Sequence, residues 1–217
     1  MKKTAFILTM LLALVGISDM EAQGLFSKKE FKGRKERQEY MAGAVPEADG
    51  KVTFSHTYRV TASDYTQGAA LMALRQWADL RYMPLTQQGE WSDAGYYKNF
   101  EYSKVTQPDD TTIVCQADEE LVFTNKTLAR DATKVHYTLT LHIGKDRIDA
   151  VLSNIVYVYN LVETPERILA EDWITDKEAF NKKGELLHNV AKFRIKTCDL
   201  ADQLFHEIGE VLHNFAN

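Results

Sequence analysis

The 217-residue sequence predicts an α+β fold, an antiparallel sheet of about five strands with two main helices on one face. Three observations carry this prediction. Between Val135 and Tyr159, apolar and polar residues alternate on either side of a Gly144-Lys145-Asp146 turn, which describes two strands joined by a hairpin. Near the C-terminus Ala201, Leu204, Phe205, Ile208, Val211, Leu212 and Phe215 recur at spacings of three and four, one apolar stripe on an amphipathic helix. The strand segments follow one another through hairpin-like connections, which make a sheet antiparallel.

The chain opens on a leader. Lys2 and Lys3 precede the uncharged run Ala5–Ile17, and a polar stretch ends at Ala22. That is the layout of a secretory signal peptide over residues 1–22, and its apolar core falls short of the roughly 20 residues of a membrane span. Cleavage would leave 195 residues with no transmembrane segment, exported to the periplasm or beyond. No cysteine lies near the cleavage region to accept a lipid, so a lipoprotein is not expected.

Residues 23–50 hold five glycines and prolines among many charges and read as a basic, flexible linker. The domain proper is expected over 51–217. Val52, Phe54, Tyr58 and Val60 alternate with polar residues as in a half-buried strand. Ser63 and Asp64 offer an N-cap, and a helix then runs to Pro84, its apolar stripe being Ala70, Leu74, Trp77 and Leu80. Tyr96, Phe100 and Tyr102 share one parity, and Thr111–Val122 continues the strand pattern after Gln107-Pro108-Asp109-Asp110. In the next strand Val135, Tyr137, Leu139, Leu141 and Ile143 face one way, with His136 and His142 opposite. In the last, Ile148, Ala150, Leu152, Val156 and Val158 form one face, and Val151, Ile155, Tyr157 and Tyr159 the other.

Charge narrows the function classes. Lys28–Arg37 carries six basic and two acidic residues, whereas the chain after Tyr40 has 18 basic against 26 acidic, a net of −8. An acidic domain lacks the clustered cations that neutralise phosphates, so nucleic acid is not an expected partner. Cys115 and Cys198 have no zinc-ligand spacing. Both lie on apolar faces of their elements, and the alternatives are one disulfide or two buried thiols.

Trp77, the Ser153-Asn154-Ile155 step, Ala170–Asp176 (AEDWITD), Asn181-Lys182-Lys183-Gly184, Lys192-Phe193-Arg194 and Lys196-Thr197-Cys198-Asp199 occur in an order that looks familiar. Over about residues 51–217 the chain resembles a secreted domain of unknown function with a TBP-like fold, found in many Bacteroidetes envelope proteins. The resemblance implies a β-α-β-β-β-β-α layout. It carries over no catalytic residue, and topology alone does not confer DNA binding.

No motif points to catalysis. There is no nucleophile elbow, no phosphate-binding glycine loop and no cofactor fingerprint, so no cofactor is expected. His206, Glu210 and His213 fall on one helix face, but that face lies opposite the apolar stripe and reads as solvated. His136 and His142 are about 20 Å apart along a strand and cannot share a metal. His56 shares parity with Phe54 and Tyr58 and is expected to be buried and hydrogen-bonded. Asp118-Glu119-Glu120 reads as a charged bulge or turn.

The remaining candidate is the patch of Tyr157, Tyr159, Val151 and Ile155, expected on the sheet face away from the helices, where exposed apolar surface meets a partner. The function expected is therefore an exported, non-enzymatic binding or interaction domain of the bacterial envelope. Its partner is an unidentified envelope protein or a small ligand. The alternative is a carrier for a small apolar ligand, with a pocket between the C-terminal helix and the sheet near Leu139, Leu141 and Phe205.

Overall fold

The computed structural model describes residues 33–60, 65–83, 102–126, 129–159 and 166–215. A small hairpin, β1 (Glu47–Ala48) and β2 (Lys51–Val52), leads into β3 (Phe54–Arg59) and helix α1 (Gln67–Arg81). Strands β4 (Ser103–Asp109), β5 (Thr112–Lys126), β6 (Ala129–Ile143), β7 (Arg147–Tyr159) and β8 (Glu166–Leu169) follow, then the short α2 (Asp176–Ala179) and the long α3 (His188–Phe215). The α+β class and the antiparallel sheet are as predicted. The sheet has six strands in the order β3-β7-β6-β5-β4, with β8 also on β7. Residues 147–152 of β7 pair with β3 and residues 156–159 with β8, so these two strands share one edge of β7. The segment expected as one strand over 51–60 divides at Thr53, whose N–H turns to the Pro46 carbonyl (3.0 Å).

Local chemistry accounts for the element boundaries. Thr66, not the Ser63-Asp64 pair that lies outside the described residues, caps α1 by accepting from the Ala69 N–H (3.3 Å). Ala70, Leu74 and Ala78 are fully buried at a spacing of four. Leu80 is about 200° around the helix from Ala78 and is 59% exposed, which corrects the predicted stripe. The β6–β7 turn needs its glycine: a Cβ on Gly144 would sit 2.8 Å from the Arg147 carbonyl oxygen.

One irregularity decides how β7 faces. Thr138 pairs with Ser153, but His136 pairs with Val156, so β7 carries one residue more than β6 across this step. Asn154 takes it up in a left-handed conformation (φ 54°), as a β-bulge residue does. The extra residue flips every side chain after it. Ile148, Ala150 and Leu152 point to the helices before the bulge; Ile155 and Tyr157 do so after it, at 1% and 0% exposure.

Both long helices pack on this one face. Leu74, Ile113, Leu139, Leu141, Ile148, Leu152, Phe193, Leu204 and Ile208 fill the interval. Residues 33–50 form a strap across α3, with Tyr40 and Val45 buried. Arg34 reaches Asp199 with both carboxylate oxygens at 2.6 and 2.8 Å. The described part of the expected linker is therefore packed structure, because its charges find partners on α3. Cys115 and Cys198 are both buried free thiols. Cys198 turns to the strap, 3.9 Å from the Ala44 carbonyl, while Cys115 faces the helices from β5, so the disulfide alternative is not realised.

Candidate functional site

With both helices on one side, the opposite face of the sheet has no helix over it among the described residues. Cross-strand pairing sets its side chains in rows. Thr106, Val114, Thr140, Val151 and Ser55 stand abreast on β4, β5, β6, β7 and β3, a band about 20 Å wide. β-Branched residues fill four of the five positions, and they suit a half-covered pleated surface. On one side of the band lies the row Thr57–Asp149–His142–Thr112. On the other lie the rows Asp118–His136–Val156–Leu169 and Glu120–Lys134–Val158–Arg167. Polar rims thus border a weakly apolar centre.

The ionisable groups of this face hold one another. His136 Nδ1 is 2.5 Å from Asp118 Oδ1, and Arg130 donates to Glu120. The Thr57 hydroxyl donates to Asp149 (2.6 Å), and Thr112 lies 3.4 Å from His142 Nδ1. A carboxylate orienting an imidazole is half of a general-base arrangement. Among the described residues no hydroxyl or thiol is hydrogen-bonded to His136 to complete it. Asp118-Glu119-Glu120 is regular strand, not the bulge or turn expected, and its alternation sends Glu119 through to the helix side.

There Glu119 joins a buried polar knot. Its Oε1 accepts from Arg81 (2.6 Å) and its Oε2 from the Tyr137 hydroxyl (3.0 Å), while Arg81 Nε donates to Glu207 on α3 (3.1 Å). Trp77 Nε1 and Gln203 Nε2 also donate to Glu207. Burial and the Glu119 charge push Tyr137 well above the usual phenol range. The knot ties α1, β5, β6 and α3 together, a positioning role for the fold.

The predicted patch separates into its members. Ile155 and Tyr157 are buried beneath α3, and the Tyr157 hydroxyl is 2.6 Å from that of Thr197. Tyr159 is committed internally: its hydroxyl accepts from Lys192 (2.7 Å) and donates to Asp131 (2.8 Å), and its ring lies 4.4 Å from the same ammonium. Val151 alone stays on the uncovered face. The strand parity was read straight through Asn154, and the bulge reversed it. His56 is exposed, not buried as expected, since β3 is an edge strand; its ring stacks on Phe205 at 5.7 Å. His206, Glu210 and His213 are exposed on α3. Trp91, Tyr96, Tyr97 and Phe100 lie outside the described residues. Tyr102 is 44% exposed beside the His136 ring (6.4 Å).

Aromatic and aliphatic side chains line the interval between α3 and the sheet. Phe193 meets the rings of Phe123 (4.8 Å), Tyr157 (5.1 Å) and Tyr159 (5.4 Å), and Leu139, Leu141 and Leu204 have no exposed surface.

Comparison with known proteins agrees with this architecture. The model of a domain of unknown function with TBP-like fold, DUF4468, matches residues 59–158. A crystal structure of a DUF4468 family protein from Bacteroides ovatus is 32% identical, covering 80% of this chain and 92% of that one with a TM-score of 0.65. The chain belongs to the DUF4468 family. A TBP-like protein from Parabacteroides distasonis shares the fold at 21% identity, with 78% and 97% coverage and a TM-score of 0.60. No curated protein matches the chain. The DUF4468 match runs from the end of β3 to β7, so it spans the pleated surface and stops short of α3 and the strap. Among the described residues no helix is long and apolar enough to cross a membrane.

Proposed function

We propose that the protein is an exported, non-enzymatic interaction domain of a bacterial envelope, which meets its partner through the uncovered sheet face. The row Thr106–Val114–Thr140–Val151–Ser55 carries this reading: five small side chains abreast, with no helix over them among the described residues, bordered by charged pairs. An apolar centre inside a polar rim is the layout of a protein interface. Asp118 and His136 are paired with each other, which favours binding over catalysis at this position. Export rests on the leader over residues 1–22.

The test places a photo-crosslinking residue at Thr140 and, separately, at Met72, which is 74% exposed on α1. In intact cells, an adduct of defined mass is expected from position 140 and none from 72. Equal labelling, or none at 140, overturns the sheet-face reading. Sequencing of the envelope form should start at Gln23, and an uncleaved chain in the cytosol would refute export.

A further inference from the structure

The strap over residues 33–50 is held largely through its main chain. Arg194 has no exposed surface; its Nε donates to the Tyr40 carbonyl (2.7 Å) and its Nη2 to that of Met41 (2.6 Å). Asp176 accepts from the same Nη2 (2.6 Å) and from the Gly43 N–H (2.6 Å). One cation and one anion therefore read two carbonyls and one amide, contacts that any peptide backbone of this shape supplies. Three side chains then fix the register: Arg34, which donates to both Asp199 oxygens (2.6 and 2.8 Å), Tyr40, whose hydroxyl donates to Asp199 (2.7 Å), and Val45.

The strap covers Arg194 and supplies two of its acceptors, the Ile174 carbonyl and Asp176 supplying the others, so the groove under it favours an occupant that offers carbonyls in the same places. The strap buries Tyr40 and Val45 but belongs to no long ladder, so it opens at lower free energy than the six-stranded sheet. Its joint to the sheet is the two-residue hairpin β1–β2, turning through Asp49 (φ 51°) and Gly50 (φ 72°). A segment on a short hinge, held over a groove by contacts that a second copy can also supply, is an arrangement that permits exchange between copies.

We propose that two copies of the chain exchange straps, residues 33–45 of each filling the α3 groove of the other. The contacts made in exchange are those already seen within one chain, so no new complementarity is required. This association uses a face other than the uncovered side of the sheet and stands or falls apart from that reading. A strap tethered in its own chain has an effective concentration of about a millimolar, so exchanged dimers should grow in as protein approaches that range.

Native mass spectrometry of the full mature chain, mixed in unlabelled and nitrogen-15 forms, reads this directly. Mixed dimers are expected to rise with concentration, and monomer alone up to about a millimolar overturns the proposal. A synthetic peptide of residues 33–46 should convert the dimer to peptide-bound monomer. The same peptide with Tyr40→Ala should act about tenfold more weakly or worse. A dimer indifferent to both peptides uses another surface and refutes strap exchange. Thiol labelling supplies an independent arm. Burial pushes both thiols up to about 12, so their relative rates report access. Cys198, under the strap, should react before Cys115, and equal rates would mean that the strap opens only with the whole fold.

Discussion

The two halves of α3 show what a second packing layer does to a helix. From Val190 to Ala201 only Lys192 and Asp199 escape full burial, and Arg194, Lys196 and Thr197 are buried with the apolar residues. From Asp202 onward Leu204 and Ile208 are buried, Phe205, Val211 and Leu212 are half-buried, and His206, Glu210 and His213 are exposed. The second half touches the rest of the molecule on one side and behaves as an amphipathic helix. The first half lies between the sheet and an outer layer made of the strap and the residues around α2. Polar side chains survive there because each has a partner: Arg194 as described, and Thr197 on both the Tyr157 hydroxyl and the Phe193 carbonyl (2.8 Å). Amphipathicity thus reports the number of partners a helix has, rather than the depth at which it lies.

The sharpest way to break this comparison is to remove the central cation of the wrapped half. Arg194→Met strands the carbonyls of Tyr40, Met41 and Ile174, and should cost about 3–5 kcal/mol in urea denaturation. A loss no larger than that of a surface variant would mean that the strap contributes little to the fold.

A smaller effect is expected from pH. Burial lowers the Lys196 ammonium to about 8 from 10.5, so the unfolded chain binds more protons than the folded one between these values. Stability should therefore rise as pH passes 8, on the order of 1 kcal/mol by pH 9. Above pH 9 the sign reverses, because Cys115 and Cys198 keep their protons up to about 12 when folded but lose them earlier when unfolded. Chemical denaturation from pH 7 to 11 should show a maximum near 9, and Lys196→Met should flatten its rising side. A rise that persists in Lys196→Met assigns it to another group.

The smallest effect belongs to the exposed half. His206→Ala or Glu210→Ala should shift stability by less than about 0.5 kcal/mol. A larger loss at either position would show that this face is covered in the native assembly.

Much of the architecture was legible because it rests on period. The alternation in β6 and the spacing along α3 appear in sequence as they appear in the fold, and the α1 stripe does so at Ala70 and Leu74 but not at Leu80. The candidate site was less legible for a specific reason. Alternation predicts a strand's face only while its register is unbroken, and Asn154 breaks it. Asparagine tolerates the left-handed conformation, so Ser153-Asn154 was visible as an interruption, but its effect on Tyr157 depends on how β6 pairs alongside. His56 failed differently: parity placed it on the helix side, but parity does not say that β3 is an edge strand.

By itself, then, the sequence determined the α+β class, the antiparallel sheet and the two long helices. These follow from local periodicity and composition, which each segment carries on its own. The tertiary structure decided which side of β7 Tyr157 faces, that residues 33–50 are a strap, that both cysteines remain thiols, and that among the described residues both long helices lie on one face of the sheet. These depend on groups distant along the chain, such as Arg34 with Asp199 or Arg194 with Tyr40, whose pairing energy exists only once the fold has brought them together.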